Sequence, residues 1–148
     1  MTGITYHTKS FNELTCGVFH DIIRLREQVF VVEQNCPYLD VDGKDPLSTH
    51  IYARLHDEVV GYCRVLPPGV SYNEWSIGRV VTHHHVRRHG VGTKIMLRAL
   101  GFINTHESKS VCISAQTYLK EFYEQLGFRA TGKYYLEDNL PHMQMRRD

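Results

Sequence analysis

The sequence lacks the features that mark membrane, secreted and nucleic-acid-binding proteins. It has no apolar run long enough to span a bilayer and no recognisable signal peptide. Its formal net charge is only +1 over 148 residues, so it has no overall basic field of the kind that favours nucleic acid. We therefore expect a cytoplasmic protein that neither enters a membrane nor binds nucleic acid.

The cysteine pattern also excludes a disulfide framework. The four cysteines, Cys16, Cys36, Cys63 and Cys112, form no C-x-x-C pair, and two of them lie in apolar, strand-like runs. Reduced thiols are the simplest interpretation. The sequence has no internal repeat or low-complexity segment, and its length suits one domain with a sizeable core. We expect a single domain over residues 1–148.

Hydrophobic periodicity predicts a mixed α/β fold. Antiparallel strands come first, and strands and helices then alternate. The predicted strands cover residues 4–8, 50–55, 59–66, 76–82 and 111–115, and a last hairpin pairs 134–136 with 143–145 around Asn139, Leu140 and Pro141. The predicted helices cover residues 15–30, 92–105 and 117–126. This order predicts an α/β fold whose twisted, mostly antiparallel sheet has helices on both faces.

One turn between a strand and a helix has the composition of an anion site. Residues 87–96 read RRHGVGTKIM, with two glycines and several basic groups where the predicted helix begins. Helix N-termini bind phosphate readily, and glycine allows close backbone approach. The P-loop and the dinucleotide fingerprint are both excluded, because Thr93-Lys94 follows Gly92 and Ile95 stands at the third glycine position. These residues alone leave an anion site and a purely geometric turn both open.

Two motifs together resemble the GNAT superfamily of acyl-CoA-dependent N-acyltransferases. Residues 87–92, RRHGVG, match that family's Arg/Gln-x-x-Gly-x-Gly/Ala signature, and residues 122–128, FYEQLGF, match a second block downstream. The resemblance covers about residues 24–145. Residues 25–34, 40–45 and 77–80 are similar to the ElaA-type branch.

The resemblance implies the GNAT fold and acetyl-CoA as cosubstrate. The backbone of Val80, Val81 and Thr82 would pair with the pantetheine arm and hold the acetyl carbonyl, and Gln116 stands where many relatives have a pantetheine-binding asparagine. The turn would cradle the pyrophosphate, and its expected cofactor-binding residues are Arg87, Arg88, His89, Gly90, Val91, Gly92 and Thr93. Two departures are Arg88, where the family often has glycine, and residues 83–85, where it often has proline.

The implied chemistry is attack of a neutral amine on a thioester. Tyr123 stands at the family position beside the cofactor sulfur and is the expected general acid, although its helical spacing also suits core packing. Glu33 is the first candidate for the general base, with His142, Asp42 and ordered water as alternatives. Glu33 and residues 40–45 are expected to border the acceptor pocket.

The sequence favours no metal site. Residues 83–85, His-His-His, are consecutive and are expected to point in different directions, as a solvated loop beside the phosphates. Asp40, Asp42 and Asp45 depart from calcium-loop spacing and lack the closing glutamate.

These observations favour an acetyl-CoA-dependent N-acetyltransferase. A non-catalytic acyl-CoA-binding sensor and an enzyme similar to acyl-homoserine-lactone synthases are the alternatives. The sequence does not identify the acceptor amine, and it leaves the oligomeric state open, a homodimer included.

Overall fold

The protein is described by a computed structural model that covers residues 2–148. Its strands form two antiparallel sheets. The first has the order β1-β2-β3-β4, with β1 at Ile4–Ser10, β2 at Thr49–Leu55, β3 at Glu58–Leu66 and β4 at Ser76–Thr82. The second has the order β5-β7-β6, with β5 at Val111–Gln116, β6 at Arg129–Glu137 and β7 at Leu140–Arg147.

The two sheets meet along β4 and β5 at one end only. A parallel bridge joins Trp75 to Val111, with Trp75 N donating to Ser110 O at 3.2 Å and Cys112 N donating to Trp75 O at 2.8 Å. No other bridge between β4 and β5 is present in residues 2–148. The strands therefore part beyond this point, and a cleft opens between them.

Helices cover both faces of the first sheet. Helix α1 spans Cys16–Arg26, α2 spans Val91–Asn104 and the short α3 spans Lys120–Glu124. Because neighbouring residues of a strand face opposite sides, Tyr62 of β3 lies in the core beneath α1, while Cys63 lies in the larger core beneath α2. Both side chains are fully buried, so β3 lies between the two cores of the fold.

The first long helix differs from the prediction over residues 15–30. The α-helix ends at Arg26 and continues as a π-helix over Glu27–Glu33. Bonds from Gln34 N to Val29 O and from Cys36 N to Val31 O, at 3.1 and 3.0 Å, show its five-residue spacing. The wider turn shifts the side chains that follow relative to a regular helix.

Two further predicted boundaries were wrong. The helix predicted over residues 117–126 is a 3₁₀ turn at Thr117–Leu119 followed by α3. The last hairpin turns at Asp138 and Asn139, both with positive φ, as a tight two-residue turn requires. Its strands are therefore longer than predicted, and residues 140–141 begin β7 instead of lying in the turn.

A buried ion-pair network fixes the segment between the π-helix and β2. Arg26, fully buried, binds Asp40 and Asp45 at 2.8 Å each. Arg64 of β3 binds Asp42 at 2.6 Å and Asp45 at 3.0 Å. Removing one member would leave a buried charge without its partner, which typically costs about 3–5 kcal/mol.

None of the helices described in residues 2–148 is long and apolar enough to cross a membrane.

Candidate active site

The cleft between β4 and β5 has a volume of about 560 Å³. Its lining comes from five parts of the fold: the π-helix with the loop after it, the diverging strands, the N-terminus of α2 with the turn before it, the segment 118–123 that reaches into α3, and the β6–β7 hairpin. Most of the residues expected to bind the cofactor line it, namely Val80, Val81, Thr82, Arg87, Arg88, Gly90, Val91, Gly92, Thr93 and Gln116. His89 is the exception among them.

The start of α2 presents unpaired N–H groups to the cleft. The first regular helical bond runs from Lys94 N to Gly90 O at 3.1 Å, and no side chain of the described residues caps the helix. The N–H groups of residues 91–93 therefore have no partner within the helix. Gly90 has φ +76° and Arg88 has φ +68°, whereas Gly92 is helical.

A β-bulge shapes β4 where it borders the cleft. Tyr62 faces Val81 and Arg64 faces Gly78, so one residue of β3 opposes two residues of β4. Arg79, in the bulge, has φ +52°. Its Nε lies 2.8 Å from Asp40 Oδ1, although the N–H does not point at that oxygen, and its Nη2 donates to Asp40 O at 3.0 Å. The bulge thus connects the cleft wall to the buried ion-pair network.

Glu33 and Arg87 form a bidentate ion pair at the cleft. Arg87 Nη1 and Nη2 donate to the two carboxylate oxygens at 2.7 and 3.1 Å, and Nε and Nη2 also donate to Thr82 O at 3.3 and 3.2 Å. The hydrogen bonds from Arg87 lower the pKa of Glu33. This pairing makes Glu33 a weaker candidate for the general base, because a carboxylate held ionised is a weaker base. Glu33 also neutralises the charge of Arg87, which was expected to be among the cofactor-binding residues.

Tyr123 combines core packing with a place on the cleft. Its side chain is 6% exposed and meets the rings of Phe122 and Phe128 edge to face, at centroid distances of 5.0 and 5.9 Å. It nevertheless lines the cleft, and its hydroxyl makes no hydrogen bond to the residues that the structure describes, 2–148. Burial raises the pKa of Tyr123. The hydroxyl is therefore protonated at neutral pH and able to donate.

His142 of β7 also lines the cleft and has a defined tautomer. Its Nδ1 lies 2.7 Å from Leu140 O, and because a carbonyl only accepts, Nδ1 carries the proton. The lone pair is then on Nε2, which lies 3.4 Å from Glu137 Oε2. The ring of Tyr135 stacks on the imidazole at 6.3 Å. A base with a fixed tautomer and a carboxylate beside it is a common arrangement for proton transfer.

The β6–β7 hairpin closes one side of the cleft. Glu137, Asp138 and Leu140 line it, and Cys36 Sγ donates to Asp138 O at 3.3 Å. Nearby, Gln116 Nε2 of β5 donates to Gln34 Oε1 at 3.3 Å. Glu137 and Asp138 were not predicted from the sequence because they belong to a surface hairpin, and their proximity to residues 33–38 arises only in the folded chain.

Residues 40–45 do not line the cleft, contrary to the expectation for the acceptor pocket. Their three aspartates turn towards the arginines of the ion-pair network. Burial opposes ionisation of Asp42, but hydrogen bonds from Arg64 and from Lys44 N outweigh it and hold the pKa of Asp42 well below its usual range. Asp42 is therefore unsuited to act as a base near neutral pH.

The three consecutive histidines were predicted to point apart, and this was wrong. His83 caps a 3₁₀ turn over His84–Val86, and the three rings pack together with centroid distances of 4.0 to 4.7 Å. Their ligand nitrogens lie within 4.8 Å of one another. The geometric reason for excluding a metal at this place therefore fails.

Comparison with known proteins agrees with this architecture. The family model described as an acetyltransferase (GNAT) domain matches residues 28–148. Protein ElaA of Escherichia coli is 37% identical over 140 residues, which cover 93% of this chain and 92% of ElaA. The chain therefore belongs to the GNAT family, within its ElaA-type branch, and the expected family is confirmed.

Solved structures confirm the predicted fold class. The crystal structure of E. coli ElaA and that of an acyl-CoA N-acyltransferase from Pseudomonas aeruginosa each superpose with a TM-score of 0.91 at 36% identity, covering 98% of this chain and 99% of the other. An aminoglycoside 6′-N-acetyltransferase complexed with coenzyme A, covering 95% of this chain and 96% of its own, has a TM-score of 0.73 at 16% identity and shares the fold.

Proposed function

We propose that the chain is an acetyl-CoA-dependent N-acetyltransferase that transfers the acetyl group directly to an amine of an acceptor. The observation that carries this proposal is the cleft between β4 and β5, which combines unpaired helix N–H groups with an unbonded tyrosine hydroxyl. A CoA thioester has a pyrophosphate and a reactive sulfur at opposite ends of one arm. A site for it needs N–H donors for the pyrophosphate and a proton donor for the sulfur. Membership of the GNAT family supports the same cosubstrate.

Cofactor binding is assigned to the start of α2 and to β4. The N–H groups of Arg88 and of residues 90–93 would bind the pyrophosphate, where the helix dipole adds to the hydrogen bonds, whereas the N–H of His89 is donated to Val86 O. The backbone of Val80, Val81 and Thr82 would accept the pantetheine arm, with Gln116 on the facing strand. Arg87 acts on this site indirectly, because its guanidinium holds the Thr82 carbonyl at the end of β4.

Proton transfer is assigned to His142 and Tyr123. His142 Nε2 takes a proton from the acceptor ammonium, and Glu137 stabilises the resulting imidazolium. The free amine attacks the thioester carbon, and a backbone N–H near Val81 stabilises the oxyanion. When the C–S bond breaks, the Tyr123 hydroxyl gives its proton to the departing thiolate, and the resulting tyrosinate takes the remaining extra proton from the amide nitrogen.

The acceptor is expected to enter beside the β6–β7 hairpin. Glu137 and Asp138 are acidic residues on this side of the cleft, whereas the guanidinium of Arg87 is neutralised by Glu33. Amines arrive mostly protonated at neutral pH, and an acidic approach favours cations. This polarity supports an amine as the acceptor group.

The test is thiol release from acetyl-CoA across a panel of polyamines, amino acids, aminoglycosides and lysine peptides, with mass spectrometry to locate the added acetyl group. We expect release with at least one amine and a product heavier by one acetyl group. Saturable acetyl-CoA binding without release by any amine of the panel would contradict the proposal and favour the acyl-CoA sensor.

A further inference from the structure

A histidine cluster lies outside the proposed reaction, in the segment that joins β4 to the anion-binding turn. We infer that His83, His84 and His85 form a site for Zn²⁺, with Glu58 as an outer carboxylate. The distances between the three rings and the hydrogen bonds of His83 carry this inference.

The backbone explains why consecutive histidines gather. In a strand, neighbouring side chains would face opposite sides, but residues 83–86 form a tight turn instead. His83 N donates to Val60 O at 2.8 Å and Val86 N donates to His83 O at 3.0 Å, so both ends of the turn are held. Three imidazoles therefore emerge from an anchored segment, and the cluster needs no ordering of a mobile loop.

His83 already has the tautomer that a zinc ligand needs. The backbone N–H of His85 lies 3.2 Å from His83 Nδ1, and because an N–H only donates, Nδ1 presents its lone pair. Its Nε2 then carries the proton and faces Glu58 Oε1 at 3.8 Å. Zinc-binding histidines usually direct their second ring nitrogen towards a carboxylate in this way. Zn²⁺ would replace the weak contact from His85 N.

Only small side-chain rotations are required to complete the ligand set. Zn–N bonds of about 2.0–2.1 Å place tetrahedral ligands roughly 3.3 Å apart. The ligand nitrogens lie within 4.8 Å, and His84 and His85 are exposed and can turn. A water molecule would complete a three-histidine set.

The chemistry of the cluster favours zinc over harder cations. Imidazole ligands suit Zn²⁺, Ni²⁺ and Cu²⁺, whereas Mg²⁺ and Ca²⁺ prefer oxygen. Among the cysteines, only Cys16 is exposed. The zinc titration therefore needs a control for binding at Cys16.

The test is calorimetric titration of ZnCl₂ into the full chain without a histidine tag. We expect one Zn²⁺ per chain, at least tenfold weaker binding in His84→Ala/His85→Ala, and roughly tenfold weaker binding in Glu58→Gln. His20→Ala and Cys16→Ser are matched controls, because each removes an exposed ligand residue elsewhere, and both should bind as the wild type does.

Zinc K-edge absorption provides a second measurement that does not depend on affinity. We expect first-shell scattering from imidazole nitrogen without sulfur. The absence of saturable zinc binding, or equal affinity in the wild type and the His84→Ala/His85→Ala variant, would overturn the inference. Sulfur ligation would overturn it as well. MgCl₂ should produce no saturable heat.

Discussion

Both carboxylate oxygens of Glu33 are bound by the guanidinium of Arg87, which also holds the carbonyl of Thr82. The pair connects the end of the π-helix to the end of β4, across one end of the cleft. Its carboxylate is committed to a structural contact, whereas His142 Nε2 lies 3.4 Å from Glu137 Oε2, a carboxylate oxygen that cannot donate to its lone pair. The two residues therefore differ in a way that kinetics can measure.

Replacing His142 should affect turnover far more than replacing Glu33. His142→Gln removes the proposed base, and we expect kcat to fall by roughly 10²–10⁴. Glu33→Gln keeps the side-chain shape and should lower kcat by less than about tenfold, since it weakens only the bonds to Arg87. The measurement is steady-state kinetics with an identified acceptor. The opposite ranking would restore Glu33 as the base.

Tyr123→Phe should separate catalysis from packing. The ring stays between Phe122 and Phe128, so the melting temperature and the affinity for acetyl-CoA should change little. Loss of the proton donor should lower turnover by roughly 10²–10⁴. Calorimetric binding and thermal unfolding are measured on the same variant. Wild-type turnover would exclude Tyr123 as general acid.

Gly92→Ala should weaken CoA binding without harming the fold. Its new Cβ would lie 3.6 Å from Phe122 Cζ and 3.7 Å from Thr82 Cγ2, which are ordinary contacts, but it would project into the cleft. Losing one anion contact, at about 1.5–3 kcal/mol, corresponds to roughly tenfold to hundredfold weaker binding. Gly101→Ala, in the same helix with open space around it, is the matched control. Equal CoA affinity in both variants would contradict the assignment of the pyrophosphate site.

Glycine should be the more stable replacement for Arg88, whereas alanine should be the more stable replacement for Arg98. Arg88 has φ +68°, where an L side chain is strained, so Arg88→Gly should be about 1 kcal/mol more stable than Arg88→Ala. Arg98 lies within α2, where alanine favours the helix more than glycine does. Arg98→Ala should therefore be about 1 kcal/mol more stable than Arg98→Gly. Urea unfolding of the four variants checks both values. The same order at both positions would show that residue 88 is not strained.

Stability should decline in two stages as pH falls. Burial lowers the pKa of His50, which the Asp45 carbonyl only partly opposes, so the folded state resists a proton that the unfolded state takes below about 6.5. The lowered pKa of Asp42 acts similarly below about 3.9. Unfolding free energy is therefore greatest above both values. Melting temperatures from pH 8 to 3 should show a smaller upper stage in His50→Gln and a smaller lower stage in Asp42→Asn, while exposed His20→Gln follows the wild type.

The family and the glycine-containing turn before α2 were predictable because their signals are contiguous in sequence. Residues 87–92 and 122–128 each carry a complete motif. The partnership of Glu33 with Arg87 spans 54 residues, and nothing local to either residue indicates it. The π-helix was also missed, because apolar residues three and four apart fit an α-helix equally well.

The histidine cluster illustrates a different limit. Whether consecutive side chains gather or diverge depends on backbone angles, and a strand and a tight turn give opposite answers for one tripeptide. His142 was only one of several candidate bases for a related reason. Its tautomer is fixed by the carbonyl of Leu140, and that geometry exists only in the folded hairpin.

In residues 2–148 a single bridge, between Trp75 and Val111, joins the two sheets, so their junction resembles a hinge. Each sheet has a complete internal ladder, but the seam between them is left open along most of its length. A pantetheine arm bound between β4 and β5 would supply the missing contacts between these strands and hold the two sheets more rigidly together. Amide exchange should then slow in both sheets at once when acetyl-CoA binds. The proposed cosubstrate would in this way also complete the contacts between the two sheets.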